Sequence, residues 1–398
     1  MIHIARFTLF LGIIGFIYWY FIPPKRRSLF LLICSIFLIA CFSIIHTVYF
    51  IFNIFIVYIT GAFLKKEYKN KKLLLSLILI WLISNLVFLK YFNLFNFSFA
   101  SSFVSKIGPI SLVFPLGFSF IVFRLIHYIV EVYKKNISEG SFVDLAHYTL
   151  FFPTFLAGPI ERFPKFYSYS QKNKNLNVYD INYGLWRIIL GMVKKVFIAD
   201  NLLRLFLPII YFPEAHTRMI IISAFYALTI QVYMDFSGYT DIAIGISRLF
   251  GYEIIENFNK PFLQKNIALI FRNWHISLYT WIRDYFFFPI FGHRTSRAKI
   301  YIGTFITLIV FCLWHRATAT FLLLGIFAGV SLVIWQFFQE LKRNSILLRK
   351  LVTSRWFNLL SWLIIYHIFA LSVPTSLYID GSKFLHIMKY IFLTGHKC

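Results

Sequence analysis

The sequence predicts an all-α integral membrane protein, a polytopic helical bundle of about ten or eleven spans with shorter re-entrant segments between them. Three observations predict it. Hydrophobic residues make up 59% and aromatic residues 21% of the 398 positions, with 50 Phe and 24 Tyr, while charged residues reach only 14%. A soluble chain is roughly a quarter charged and just under half apolar, and a single core could not hide this surplus. The same composition excludes disorder, which needs low hydrophobicity. Apolar runs of spanning length recur along the chain. Finally, 40 Lys+Arg against 15 Asp+Glu, a net charge of +25, arrive in short bursts between those runs. A nucleic-acid binder gathers its basic residues on one face of a domain. Bursts between apolar runs are the pattern of cytoplasmic loops under the positive-inside bias, so the expected partner is membrane lipid and not nucleic acid.

A spanning helix needs about 20 mostly apolar residues. Residues 7–22 make a first candidate, ending at Pro23-Pro24 and the burst Lys25, Arg26, Arg27. No small-residue cleavage site follows, so the segment is expected to be retained and not removed as a signal peptide. Residues 29–64 are too long for one span and suit a hairpin of two, closed by Lys65, Lys66, Lys69, Lys71 and Lys72. If both bursts are cytoplasmic, the N-terminus lies outside. Residues 73–89 then cross outward, and 111–132 cross back to end at Lys134-Lys135. Residues 145–160 are apolar but carry Pro153, Gly158 and Pro159. Proline frees backbone groups that lipid cannot satisfy, so a re-entrant or buried segment is expected there. Residues 163–183 are polar and Lys-rich and read as a cytoplasmic loop. Further apolar runs cover 183–190, 196–211, 219–233, 300–314, 321–338, 356–373 and 384–392. The basic stretch 342–355 separates helices and not domains, so residues 1–398 read as one membrane-embedded domain. The four cysteines, Cys34, Cys41, Cys312 and Cys398, form no CxxC and no metal-like spacing.

Polar groups inside a membrane are costly and are functional candidates by default. Three stretches carry them. In residues 231–241, Asp235 and Asp241 flank Ser237 and Gly238 directly after an apolar run. The plainer reading is a helix break, with Asp and Ser capping the next helix and Gly making the turn. In residues 271–285, one continuous helix would put Tyr279 near 40°, Arg272 near 60° and Arg283 near 80° from His275. A stripe of two Arg, a His and a Tyr then lines a cavity or an anionic ligand. An interfacial amphipathic helix, with its arginines on lipid phosphate, fits composition equally well. In residues 313–320, His315 and Arg316 sit between two apolar runs. His315 is either an exposed loop residue or a buried group able to take a proton near neutral pH. His127, near Arg124 and Glu131, reads as a buried hydrogen-bonded side chain. His147, His293 and His367 have no supporting constellation, and no HExxH, P-loop, GxSxG or dinucleotide fingerprint is present.

Taken in order, seven segments resemble the membrane-bound O-acyltransferase (MBOAT) family. They are Phe114-Pro-Leu-Gly-Phe-Ser-Phe, Phe151-Phe-Pro-Thr-Phe-Leu-Ala-Gly-Pro-Ile-Glu-Arg, Lys194-Lys-Val-Phe-Ile-Ala-Asp-Asn, Asp235-Phe-Ser-Gly-Tyr-Thr-Asp-Ile-Ala-Ile-Gly, Glu256-Asn-Phe-Asn-Lys-Pro-Phe, Trp274-His-Ile-Ser-Leu-Tyr-Thr-Trp-Ile-Arg-Asp-Tyr and Leu313-Trp-His. They run from about residue 110 to 330, the expected catalytic core, and look most like the bacterial branch that modifies alginate, peptidoglycan and teichoic acids. The resemblance implies a bundle around a central channel, with the two family histidines falling on His315 and His275.

It also implies acyl transfer from a cytoplasmic thioester to a hydroxyl on the other side. A thioester is already activated, so the acceptor hydroxyl mainly needs a base, and a histidine suits that role. His315 is the expected base. His275, with Arg272 and Tyr279, would polarise the carbonyl or hold the donor's phosphates, and Arg283, Asp235, Ser237, Trp314 and Arg316 complete the expected substrate-binding set. No metal and no bound cofactor is expected, and the donor is acetyl-CoA or an acyl carrier protein. The expected partners are membrane lipid, a cell-envelope glycan acceptor, a cytoplasmic acyl carrier and an extracytoplasmic partner transferase. The expected location is the bacterial inner membrane, multi-pass. Acetyl transfer is favoured, with D-alanyl transfer to teichoic acid and a non-catalytic acyl transporter or channel as the alternatives. One departure stands out: the family's Trp-His-Gly reads Trp314-His315-Arg316 here. Arg316 adds bulk and charge beside the base, which suits either an anionic acceptor or a distorted site.

Overall fold

The apolar runs become helices. The computed structural model describes residues 2–66, 69–91, 115–172, 175, 177–293, 295–378 and 381–392. The start of the 111–132 run, Phe114 and Cys398 lie outside the described residues. Within them, extended pairing is limited to one isolated antiparallel bridge, Phe258 with Trp274. Five described helices are long and apolar enough to cross a membrane by length and composition: Ile44–Lys65, Lys71–Tyr91, Arg218–Leu249, Arg297–His315 and Ala319–Asn344. Phe10–Tyr20 adds a shorter apolar helix.

The chain packs as two compact units, Met1–Ile188 with Ile242–Ile255, and Ile189–Asp241 with Glu256–Cys398. In the first, the 29–64 run resolves as expected into two helices, Arg27–Phe42 and Ile44–Lys65. They part at Ser43, whose backbone is extended and whose Oγ accepts the His46 N–H at 3.3 Å. Helix Phe118–Tyr133 lies against Ile44–Lys65 and Lys71–Tyr91 and is buried along most of its length.

The proline-bearing segment behaves as a buried, non-spanning turn. Ser141 and Asp144 cap helix Phe142–Leu150 reciprocally, and a 3-10 turn, Phe152–Thr154, follows with Pro153 in its first turn. Leaving the α-helix there orphans carbonyls in a dry interior. The guanidinium of Arg124, itself 1% exposed, donates to Thr149 O and Thr154 O at 2.8 Å each and to Thr154 Oγ1 at 2.7 Å. Ser35 Oγ accepts the Phe152 N–H at 3.1 Å. His127 is buried and accepts the Phe163 N–H at 2.9 Å, the hydrogen-bonded role expected of it. The 163–183 stretch is not simply a loop. It contains helix Phe163–Ser170 and the start of Val178–Met192, because Phe163 and Phe166 turn inward and bury.

In the second unit, the 219–233 run is part of the 32-residue helix Arg218–Leu249, whose last residues belong to the first unit. Helices Arg297–His315 and Ala319–Asn344 pack closely. A Cβ on Gly325 would stand 2.8 Å from Ile309 Cα, and one on Gly329 2.7 Å from Phe305, so glycine lets the two backbones approach. The basic 342–355 stretch forms a short helix, Ile346–Thr353.

Candidate active site

Residues 271–285 do not form the single helix on which the four-residue face depended. Helix Ile267–Asn273 stops, and a new helix, Ile276–Ile282, begins after His275. The cause lies in the Glu256–Phe262 segment. Phe258 pairs with Trp274, and the Asn259 N–H donates to Asn273 O at 3.1 Å. Asn257, fully buried, caps the second helix twice: its carbonyl accepts the Ile276 N–H at 2.9 Å and its Oδ1 the Ser277 N–H at 3.2 Å. Between these clamps His275 is forced to φ 49°, ψ 54°. A non-glycine residue in the left-handed region stores strain and persists only when its surroundings over-determine it.

Arg272 and His275 therefore stand on opposite sides of a break and share no helical face. Arg272 is exposed in the last turn of its helix. Tyr279 stays one turn from His275, its N–H donating to His275 O at 2.9 Å. A π-turn, Arg283–Phe287, shifts the register beyond it. Arg283 is exposed and pairs with its own neighbour, Nε to Asp284 Oδ1 at 2.7 Å. The predicted stripe keeps His275 and Tyr279 and loses its two arginines.

His275 is 5% exposed and meets the Phe236 ring edge-on at 4.7 Å. It lies between two seven-residue helices, outside the long apolar ones. Burial pushes its imidazole down to about 3, and the His315 ring, within electrostatic reach, adds to the depression. His275 is thus neutral near pH 7 and can offer an N–H or a lone pair but no positive charge.

His315 is the last residue of helix Arg297–His315. Arg316 and its neighbours make a short turn into helix Ala319–Asn344, which Thr318 caps through the Phe321 N–H at 3.4 Å. His315 is exposed at this tip. It packs on Trp314, ring centroids 4.5 Å apart, and stacks towards Phe321 at 6.3 Å. Arg316 is exposed and extended at φ −159°, ψ 127°, a backbone any L-residue adopts. Replacing the family glycine therefore needs no distortion here.

The 231–241 stretch corrects a second expectation. No break occurs, and Asp235, Ser237 and Asp241 lie inside the Arg218–Leu249 helix. Gly238 is a packing position: a Cβ there would stand 2.7 Å from Gly191 O and 2.9 Å from Lys195 N. That contact brings the Lys194-Lys195 pair, on the π-turn Val193–Ala199, to the aspartates. Lys194 Nζ meets Asp241 Oδ2 at 2.6 Å. Lys195 Nζ meets Asp235 Oδ1 at 2.5 Å and Asp200 Oδ1 at 2.9 Å. Asp235 is thus a half-exposed ion-pair partner, and Ser237 is buried beside it.

The lysine pair and Asn257 were legible only as members of family-like segments, with no role attached. A lysine doublet spaced to match two acidic residues on a later helix was the available signal. Among the described residues, no group of His, Cys, Asp and Glu is placed to hold a metal ion.

Long apolar helices, a buried strained histidine and a second histidine within its electrostatic reach define the class, a polytopic membrane protein with a polar site in its helical fold. The model of the membrane-bound O-acyltransferase family matches residues 111–378, and the chain belongs to that family. It is 33% identical to a probable alginate O-acetylase, AlgI, of Pseudomonas aeruginosa over 349 residues, 84% of this chain and 66% of that protein. It is 30% identical to a peptidoglycan O-acetyltransferase of Helicobacter pylori over 355 residues, 81% of this chain and 66% of that protein. It is 29% identical to a teichoic acid D-alanyltransferase of Bacillus subtilis over 272 residues, 65% of this chain and 67% of that protein. The chain spans about two thirds of the length of these relatives.

Proposed function

We propose that this protein is a membrane O-acyltransferase that moves an acetyl group from a cytoplasmic thioester to hydroxyls of an extracytoplasmic envelope polysaccharide. The observation that carries the reading is the buried His275, clamped in a left-handed backbone by Asn257, within a chain of this family. His315 accepts the proton of the acceptor hydroxyl as its oxygen attacks the thioester carbonyl. The tetrahedral intermediate collapses, the carbon–sulfur bond breaks, and the thiolate leaves to be protonated. His275, neutral and held rigidly by Asn257, donates to the developing oxyanion, an interaction that strengthens only as charge builds. Tyr279 and Trp314 line the approach, and Arg316 meets an anionic acceptor. The donor is acetyl-CoA or an acyl carrier protein, and no bound cofactor takes part. On this reading about ten or eleven spans surround a central channel in a bacterial inner membrane, with the N-terminus outside. A cytoplasmic carrier and an extracytoplasmic transferase are its partners.

Acetyl transfer is favoured because the two acetyltransferase relatives align over more of this chain than the D-alanyltransferase does. The test is envelope ester content in cells lacking the protein, complemented with wild type or His315→Ala at equal membrane abundance. Mass spectrometry of the released acids separates acetate from D-alanine. Restoration by wild type alone is expected, with acetate released. Full restoration by His315→Ala would remove His315 as the base and favour an acyl conduit, and released D-alanine would move the protein to the teichoic-acid branch.

A further inference from the structure

We propose that the second unit carries a phosphate-binding pocket for an anionic phospholipid headgroup, at the end of the Arg297–His315 and Ala319–Asn344 helix pair away from His315. A cavity of about 710 Å³ opens there, between the start of the first helix, the end of the second and the helix Ile346–Thr353. Arg297, Lys342, Arg343 and Arg349 line it, against the single carboxylate of Glu340. That carboxylate accepts from Arg297 at 3.3 Å and leaves the other three cations uncompensated by any carboxylate of the lining. Arg349 is held in place by its Nε, which donates to Lys342 O at 3.2 Å. Its guanidinium thereby satisfies the last carbonyls of the long helix and stays fixed at the rim.

Two features select a lipid headgroup. Arg297 and His315 are the first and last residues of one helix, so at 1.5 Å per residue they stand about 27 Å apart, close to the hydrocarbon thickness of a bilayer. The pocket and the histidine tip therefore belong to opposite interfaces, and the pocket is not the acyl-transfer site. Trp335 also lines the cavity, one turn before Gln339 and the charged helix end, the depth at which indole settles in a bilayer. The recognised group is a phosphodiester. Gln336 adds a second point of contact. Its Nε2 donates to Thr304 Oγ1 at 2.9 Å, and its buried Oε1 has no donor among the described residues. A headgroup hydroxyl, such as that of phosphatidylglycerol, supplies that donor.

The experiment is native mass spectrometry of the full-length protein, delipidated in detergent and titrated with phosphatidylglycerol or phosphatidylcholine. The variants are Arg297→Ala/Arg343→Ala and Glu340→Gln. Wild type is expected to retain phosphatidylglycerol preferentially. The double arginine variant should lose roughly tenfold or more of that preference, at about 1 kcal/mol per interfacial cation. Glu340→Gln, which removes only the competing carboxylate, is expected to retain more than wild type. Equal retention of the two lipids by wild type, or retention unchanged in all variants, would overturn the proposal. Displacement of the lipid by millimolar inorganic phosphate or coenzyme A would overturn the lipid assignment in favour of a soluble phosphate ligand.

Discussion

At His275, a backbone conformation and a state of burial act together. The left-handed backbone turns the imidazole into the protein, and burial keeps it uncharged. Its native pKa lies below the ordinary histidine value, so the unfolded chain binds the extra proton between about 3 and 6.5. Stability then falls as pH drops through that window and is fully present above it. The thermal midpoint in detergent should drop between pH 7 and pH 5 by more in wild type than in His275→Gln, and equal drops would show that His275 does not carry the effect. Asn257 is the residue that holds this arrangement. Asn257→Ala removes the acceptor for the Ser277 N–H at a helix start, a loss of about 1 kcal/mol. We expect kcat to fall with KM little changed, because the strained presentation of His275 relaxes while the substrate surface stays. A kcat equal to wild type would remove Asn257 from the positioning of the site.

At the scale of elements, the Arg218–Leu249 helix and the π-turn Val193–Ala199 are locked by one close approach and a set of ion pairs. Asp241 is 6% exposed in its side chain and Lys194 22%. Removing the lysine takes the paired cation from a buried carboxylate, so Lys194→Met should cost about 3 kcal/mol. Adding Asp241→Asn should recover much of that loss, which chemical denaturation of the two variants would measure. The Lys195 pairs are about 40% exposed and should contribute under 1 kcal/mol. Gly238→Ala meets backbone atoms under 3 Å away that cannot move aside like a flexible side chain. It should destabilise by about 1–3 kcal/mol, and a neutral result would mean the two helices separate easily.

At the scale of the whole molecule, charge distribution along the Arg297–His315 and Ala319–Asn344 pair orients the site. Arg297, Lys299, Lys342 and Arg343 gather at one end, and Arg316 stands alone at the other. On the reading proposed above, the positive-inside bias makes the basic end cytoplasmic and turns the His315 tip outward, towards the proposed acceptor. In a cysteine-depleted background, Ala317→Cys should react with a membrane-impermeant thiol reagent in intact cells, and Ser345→Cys should react only after lysis. The reverse pattern would invert the orientation.

Membrane class, the positions of most helices and the division of the 29–64 run into two helices were legible in the sequence. Each depends on local information: apolar run length set against a fixed bilayer thickness, charge bursts, and short motifs. The break at His275, the unbroken helix through Gly238 and the pairing of Lys194-Lys195 with Asp235 and Asp241 were not. Helical periodicity treats a segment as if it were alone, and it puts Arg272 and His275 on one face. The tertiary structure overrules it because Asn257 and Phe258, distant in sequence, supply backbone partners that a continuous helix would forgo. Gly238 illustrates the converse: glycine signals a turn to a reader of local sequence, yet here it admits a neighbouring backbone. Composition and local pattern thus determined what kind of protein this is and where polar residues interrupt its apolar runs. Long-range backbone hydrogen bonds and interhelical contacts decided which of those residues meet, because the free energy that bends the chain at His275 comes from partners no local window contains.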